Sequence, residues 1–195
     1  MKKESSVKEI LIPTITLFLI CLISAAILAG LNSVTSPIIA ESNEQAAVAS
    51  MQEVLPEATS FGETIVTDNA EYSVGTDENG DTVGYVFTTI DKKSYGGTIS
   101  VMTGIGTDGL VKGVVILEID DTPGLGMKAK EDYFRNQFKG ASGEFSITKN
   151  GKWAEDGDNE IDAITSATIT STAVKNAVNE AVKCFNEITE VTGNG

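Results

Sequence analysis

The hydrophobic pattern of the chain changes character along its length. Residues 10–31 are an almost unbroken apolar run, and no charged residue stands between Glu9 and Glu41. As a helix rising about 1.5 Å per residue, the run is about 33 Å long, close to the ~30 Å of a bilayer's hydrocarbon core. Pro13 falls near its start, where a helix tolerates it. Lys2, Lys3 and Lys8 precede the run. The positive-inside rule then keeps residues 1–9 in the cytoplasm and places everything after Leu31 outside the cytoplasmic membrane, on a single-pass anchor. A cleaved signal peptide would have an apolar region of about 7–15 residues and a small-residue cleavage site. This run is longer and no convincing A-x-A box follows it, so a retained anchor is the expectation; either reading puts the remainder outside.

Residues 33–39 read as a Ser/Thr/Pro linker. Residues 40–55 read as a helix, with Ala46, Ala47, Val48, Ala49, Met51 and Val54 set among Glu41, Glu44 and Glu53 and stopped by Pro56. It leads from the membrane onto the domain, as a spacer or a packing element. From Phe61 the period becomes two. Residues 63–68, 71–74, 83–90, 98–105 and 110–119 read as strands, separated by turns at 77–80, 94–97 and 107–109. Residues 130–138 read as a short helix with Tyr133, Phe134 and Phe138, and 144–148 as a strand. The period returns to 3.6 with Val174, Ala177, Val178, Ala181, Val182, Phe185 and Ile188. The expectation is an α+β chain: cytoplasmic N-terminus 1–9, transmembrane helix 10–31, linker and juxtamembrane helix 32–60, and a domain over 61–195 with an antiparallel sheet covered by helices.

Charge narrows the function. The 195 residues carry a formal charge of −14. Three Lys and two Glu precede Ile10, so the rest of the chain holds −15. Such a surface argues against nucleic acid. The chain has no His, which excludes His-based triads and His-ligated zinc. Two isolated Cys, Cys21 and Cys184, cannot hold an iron–sulfur cluster. If the protein moves electrons it needs an organic cofactor. Asp156, Asp158 and Glu160 alternate in the polar loop 149–160, but the order of an EF-hand is missing, so a solvated loop is expected and no metal site. Trp153, the one Trp, packs at a core edge or near a ring; the residues do not choose.

Candidate chemistry gathers in residues 162–172, D-A-I-T-S-A-T-I-T-S-T. Six hydroxyls (Thr165, Ser166, Thr168, Thr170, Ser171, Thr172) precede the last helix. Thr170 or Ser171 suits an N-cap, which would place Thr168 at the mouth of a helix N-terminus, where free N–H groups favour a phosphate. An ordinary hydroxyl-rich cap accounts for the same residues. A second segment, Asp121-Thr122-Pro123-Gly124-Leu125-Gly126, has a Pro-Gly turn and glycines that permit close backbone approach, or is simply a strand-to-helix connection.

Asp162-Ala163-Ile164-Thr165-Ser166-Ala167-Thr168 resembles D-x-x-(S/T)-G-A-T, the flavinylation motif of the FMN-binding subunits of the Rnf electron-transport complex and of the sodium-translocating NADH:quinone reductase. The departure is Ser166, where Gly is usual. The 121–126 segment resembles the family's E-T-P-G-L-G, with Asp121 for Glu. Both motifs occur in family order, together with the anchor and with G-T-I-S-V-M-T-G-I and L-V-K-G-V-V-I-L, so the resemblance covers most of the chain. The length is more like the G subunit of Rnf than the quinone-reductase C subunit.

The resemblance implies covalent FMN, joined through a phosphoester to Thr168, with Thr165, Ser166 and Ala167 around it and contacts from Thr122, Gly124, Leu125 and Gly126. Asp162 would serve recognition by the flavin transferase that makes the bond, or hold the turn, as would Thr165. The shorter acid at Asp121 puts a role for that carboxylate in doubt. The extra Cβ of Ser166 would slow modification if the transferase needs a close backbone approach. The implied function is an electron relay in an ion-translocating ferredoxin:NAD oxidoreductase, not catalytic alone, with other Rnf subunits, the transferase and membrane lipid as partners. The alternatives are the quinone-reductase subunit and a membrane-anchored, non-redox binding module.

Overall fold

The computed structural model describes residues 3–149, 151 and 157–193. The loop residues Trp153 and Asp156 lie outside them. The chain divides into two compact units, Met1–Ala47 and Val48–Gly195.

The first unit is helical. Helix α1 runs from Lys3 to Val54, so it begins here and its last turns belong to the second unit. Its stretch Ile10–Ser33 is long and apolar enough to cross a membrane. Side chains along it are exposed, as they are in a helix that faces lipid and not in the core helix of a soluble domain. Its hydroxyls are turned back on the backbone: Thr14 donates to the Ile10 carbonyl at 2.8 Å, Thr16 to Ile12 at 2.9 Å and Ser33 to Gly30 at 2.8 Å. None of these hydroxyls is left unpaired on the apolar surface. The linker expected at 33–39 is instead helical backbone, Pro37 included. Pro37 removes one donor, and the Ala- and Leu-rich turns before this stretch and the Ala- and Glu-rich turns after it carry the helix across.

The second unit is a sheet between helices. Its strands are β1 (Ser60–Phe61), β2 (Ile65–Val66), β3 (Ala70–Thr76), β4 (Thr82–Ser94), β5 (Gly97–Gly106) and β6 (Val111–Ile119). All pair antiparallel in the order β1-β3-β4-β5-β6, with β2 also on β3. The strand expected at 63–68 shrinks to Ile65–Val66. A tight turn ends it, with Thr67 N–H and Oγ1 both donating to the Ala70 carbonyl, at 2.8 and 2.7 Å.

Alternation along the strands feeds two cores. Phe87, Ile99, Val101, Ile105, Val114 and Ile116 face helix α3 (Thr168–Gly193). The helix answers with the stripe read from the sequence: Val174, Ala177, Val178, Ala181, Val182 and Phe185 are all buried. The Thr89 hydroxyl crosses from β4 to donate to the Ala177 carbonyl at 2.9 Å. On the opposite face, Val86 and Met102 pack with Val54, Leu55 and Ala58. Here glycines make a trough for the last turn of α1. Gly104 and Gly113 are register partners, and a Cβ on them would stand 2.2 Å from the Val54 carbonyl oxygen and 2.8 Å from its Cα. Arg135 clamps the same turn, donating to Glu53 at 2.7 Å and to the Val114 carbonyl at 3.3 Å.

After β6 the chain makes a 3-10 turn over Gly126–Lys130, a short helix α2 (Asp132–Arg135) and a second 3-10 turn, Asn136–Phe138, where the sequence pattern reads one helix over residues 130–138. Phe134, Phe138 and Phe145 pack edge to face at 5.8 and 5.2 Å between ring centroids, and burying these rings decides the path. Strand β7 (Ser146–Thr148) pairs parallel with β8 (Glu160–Asp162), a strand the sequence reading does not identify, at the join of the polar loop and the hydroxyl-rich segment.

Candidate functional site

Strand β8 delivers the hydroxyl-rich segment to the start of α3. The Asp162 N–H donates to Gln137 Oε1 at 2.8 Å, and Gln137 returns a bond to the Asp162 carbonyl at 3.3 Å. The Asp162 side chain is buried, and its carboxylate accepts the Gly151 N–H at 3.3 Å. These bonds hold the turn. The Ala163 N–H donates to the Thr148 carbonyl at 2.9 Å and carries the β7–β8 ladder one step further.

Helix α3 opens at Thr168, so Thr168 stands in its first turn, further into the helix than a cap at Thr170 or Ser171 would put it. Neither Thr170 nor Ser171 is the cap, since both lie inside the first turn. The Ser171 hydroxyl reaches back to accept the Ile164 N–H at 3.0 Å, and the Thr170 hydroxyl donates to Asp121. For Thr170 a tertiary partner takes the place of a capping bond, while Ser171 spends its hydroxyl within its own turn, on the Ile164 N–H and the Ala167 carbonyl. Ser166 adopts φ +66°, the one non-Gly residue with positive φ among those described. The turn demands a left-handed residue at the position where the resembling motif has Gly.

Thr168 is half-buried between two cavities. One, of about 400 Å³, lies between the 121–126 loop and α3 and is lined by Tyr95, Asp121, Thr122, Leu125, Ser166 and Thr168, among others. Ala167 and Gly126 also border it. Its rim is apolar and exposed: Tyr95, Leu125 and Ile169 are 71%, 42% and 54% accessible. The other, of about 360 Å³, lies on the far side of Thr168 and is bounded by Lys149, Asp162, Thr165 and Ser166. Of the candidate contacts, Thr122, Leu125 and Gly126 reach the first cavity, Thr165 the second, and Gly124 is an exposed turn residue at φ +77° with open space beside it.

Asp121 is 4% exposed and holds this arrangement together. It accepts the Ser94 hydroxyl at 2.8 Å, the Gly96 N–H at 2.5 Å and the Thr170 hydroxyl. The doubt about that carboxylate is resolved by its partners, which come from two distant segments. Tyr95, between Ser94 and Gly96, is a groove residue that the sequence reading passes over as part of a Gly turn; an aromatic at a turn flanked by glycine is the signal that marks it. Lys149 is likewise missed, since only the parallel β7–β8 ladder brings it beside the motif.

An apolar, part-open groove of this size beside a hydroxyl at a helix N-terminus fits a flat aromatic ring with a phosphate tail. Comparison with known proteins agrees with that fit. Residues 94–183 match the FMN-binding domain family, and residues 1–54 match the RnfG N-terminal region. The G subunit of the Na(+)-translocating ferredoxin:NAD(+) oxidoreductase complex of Acetobacterium woodii is 34% identical over 188 residues, covering 89% of this chain and 90% of that one. The G subunit of the proton-translocating ferredoxin:NAD(+) oxidoreductase complex of Clostridium ljungdahlii is 32% identical over 194 residues, 99% of each. The crystal structure of Shewanella oneidensis NqrC shares the fold, with a TM-score of 0.50 at 21% identity over 64% of this chain and 65% of that one. The chain therefore belongs to the RnfG family, the G subunits of ion-translocating ferredoxin:NAD(+) oxidoreductase complexes, and carries that family's FMN-binding domain.

Proposed function

We propose that this protein is an electron-relay subunit whose FMN is held covalently, by a phosphoester from Thr168 to the ribityl phosphate. The observation that carries the reading is the position of Thr168: first turn of α3, half-buried, opening on the groove made with the 121–126 loop. Thr122, Leu125, Gly126 and Tyr95 would border the ring, and Ser166 and Ala167 the linkage. The bound flavin supplies a group that accepts and passes on electrons. The protein's part is to fix it, shield it and tune it. A covalent tether prevents cofactor loss on the outer side of a membrane.

The same reading places residues 1–9 in the cytoplasm and the FMN domain outside, with Ile10–Ser33 as a single span of the cytoplasmic membrane in contact with lipid. Partners are the other subunits of an Rnf-type complex and a flavin transferase that recognises the 162–168 turn. The protein is not catalytic alone. Support comes from the relatives, which are G subunits of such complexes along nearly their whole length.

The test is intact-mass measurement and in-gel flavin fluorescence of denatured protein from its own host. The expected result is the mass of one FMN, less water, and a fluorescent band that Thr168→Ala abolishes. An unmodified mass, or fluorescence that survives Thr168→Ala, would overturn the covalent assignment. A wild type with no flavin at all would leave a membrane-anchored binding module.

A further inference from the structure

We infer that Asp121 is a positioning residue that clamps the flavin groove and lowers the reduction potential of the ring held there; this rests on the FMN reading above. The carboxylate is 4% exposed and borders the same groove as Thr168. One oxygen accepts the Ser94 and Thr170 hydroxyls and the other accepts the Gly96 N–H. Ser94 and Gly96 flank Tyr95, which forms one wall of the groove. Thr170 stands two residues beyond Thr168, in the same helical turn. One side chain therefore ties the hairpin tip between β4 and β5 to the helix that would carry the flavin.

The fit is close. A Cβ at Gly126 would stand 2.5 Å from Asp121 Oδ2 and 2.6 Å from Thr170 Oγ1, so the loop passes this point only as glycine.

Charge supplies the second half of the inference. Among the described residues no Lys or Arg forms an ion pair with Asp121. Three neutral donors stabilise the carboxylate without cancelling its charge. A negative charge buried beside a flavin opposes the negative charge that reduction adds, and the opposition is strong where water is excluded. The same donors moderate it, because their dipoles point positive ends at the carboxylate.

The two contributions separate by sign. In full-length, flavin-loaded protein, Asp121→Asn keeps the shape and an acceptor for Gly96 but removes the charge, so the flavin midpoint potential rises. The pair Ser94→Ala with Thr170→Val keeps the charge and removes two donors, so the midpoint falls. A purely structural role would not move the potential in opposite directions. Spectroelectrochemical titration reads both. Midpoints equal to wild type, or both displaced the same way, would overturn the inference. If Asp121→Asn does not accumulate as folded protein, the double variant decides alone, and a midpoint at or above wild type counts against it. Wild type lacking covalent flavin sinks the covalent-FMN reading itself; flavin present with unmoved midpoints sinks this one only.

Discussion

The Ser171 hydroxyl accepts the Ile164 N–H at 3.0 Å while donating to the Ala167 carbonyl at 3.0 Å. One oxygen, fully buried, thus closes the turn that presents Thr165, Ser166 and Thr168. Ser171→Ala leaves the Ile164 N–H buried without that partner, and an orphaned donor costs about 1–3 kcal/mol. The expected outcome is a lower urea midpoint with an unchanged slope, accompanied by reduced FMN loading. A midpoint equal to wild type would mean that water or a shifted backbone takes over the bond.

Ser166 is held at φ +66°, where an L side chain crowds the following carbonyl. Ser166→Gly relieves about 1–2 kcal/mol of strain and returns part of it through a freer unfolded chain, about 0.4–1 kcal/mol. A net gain between about zero and about 1.6 kcal/mol is expected from thermal unfolding. Removing the exposed Cβ also clears the approach to Thr168, so the variant should acquire FMN faster in a timed mass measurement. Equal loading would show that the transferase does not need the backbone there.

Gly104 lies under the end of α1, with the Val54 carbonyl oxygen 2.2 Å from where its Cβ would be. Gly104→Ala must push that turn off the sheet, because the obstacle is backbone and cannot rotate away. Overpacking of this kind costs about 1–3 kcal/mol. Chemical denaturation of the variant should show that loss, and limited proteolysis near residue 54 should speed up. Wild-type behaviour would mean that the last turn of α1 is not seated as described.

Lys112 bonds the Asp108 carboxylate at 2.7 Å, and this hydrogen bond is the main reason its pKa lies below the ordinary value; burial opposes it. A carboxyl depressed on folding stabilises the native state above its unfolded pKa of about 3.9 and loses that contribution as pH falls through the lower folded value. Asp108 is half exposed, so the contribution is a few tenths of a kcal/mol at most, as for other exposed pairs. Lys112→Met should therefore be slightly less stable than wild type at pH 7, with the gap closing toward pH 3. A gap that widens on acidification would contradict the sign.

Periodicity alone was enough for the long elements. Residues 10–31 can be apolar for so many positions only in a membrane helix or a signal, and α3 shows its buried stripe in order. The sheet was legible because β3 to β6 are runs of strand-forming residues separated by short polar turns, although β5 is buried on both faces. Where the reading differs, the competing force is not local. The 33–39 backbone stays helical through Pro37 because the helix on either side propagates across it. The 130–138 segment breaks into short turns because Phe134 and Phe138 must both reach one core. Strand β8, at the end of the polar loop, goes unread because its partner, β7, lies on the other side of that loop.

The candidate site divides the same way. The motif around Thr168 and the 121–126 loop are each contiguous in sequence, so residue type and spacing alone determined that a hydroxyl would stand near the head of the last helix, while the nearness of the glycine loop was implied only by the resemblance. That Asp121 would meet Ser94 and Thr170, that Tyr95 would wall the groove, and that Lys149 would flank the turn follow from strand pairing and helix docking. Those contacts join residues 27 and 49 positions apart, and no local preference encodes them. Only burial of the two cores brings them within hydrogen-bonding reach.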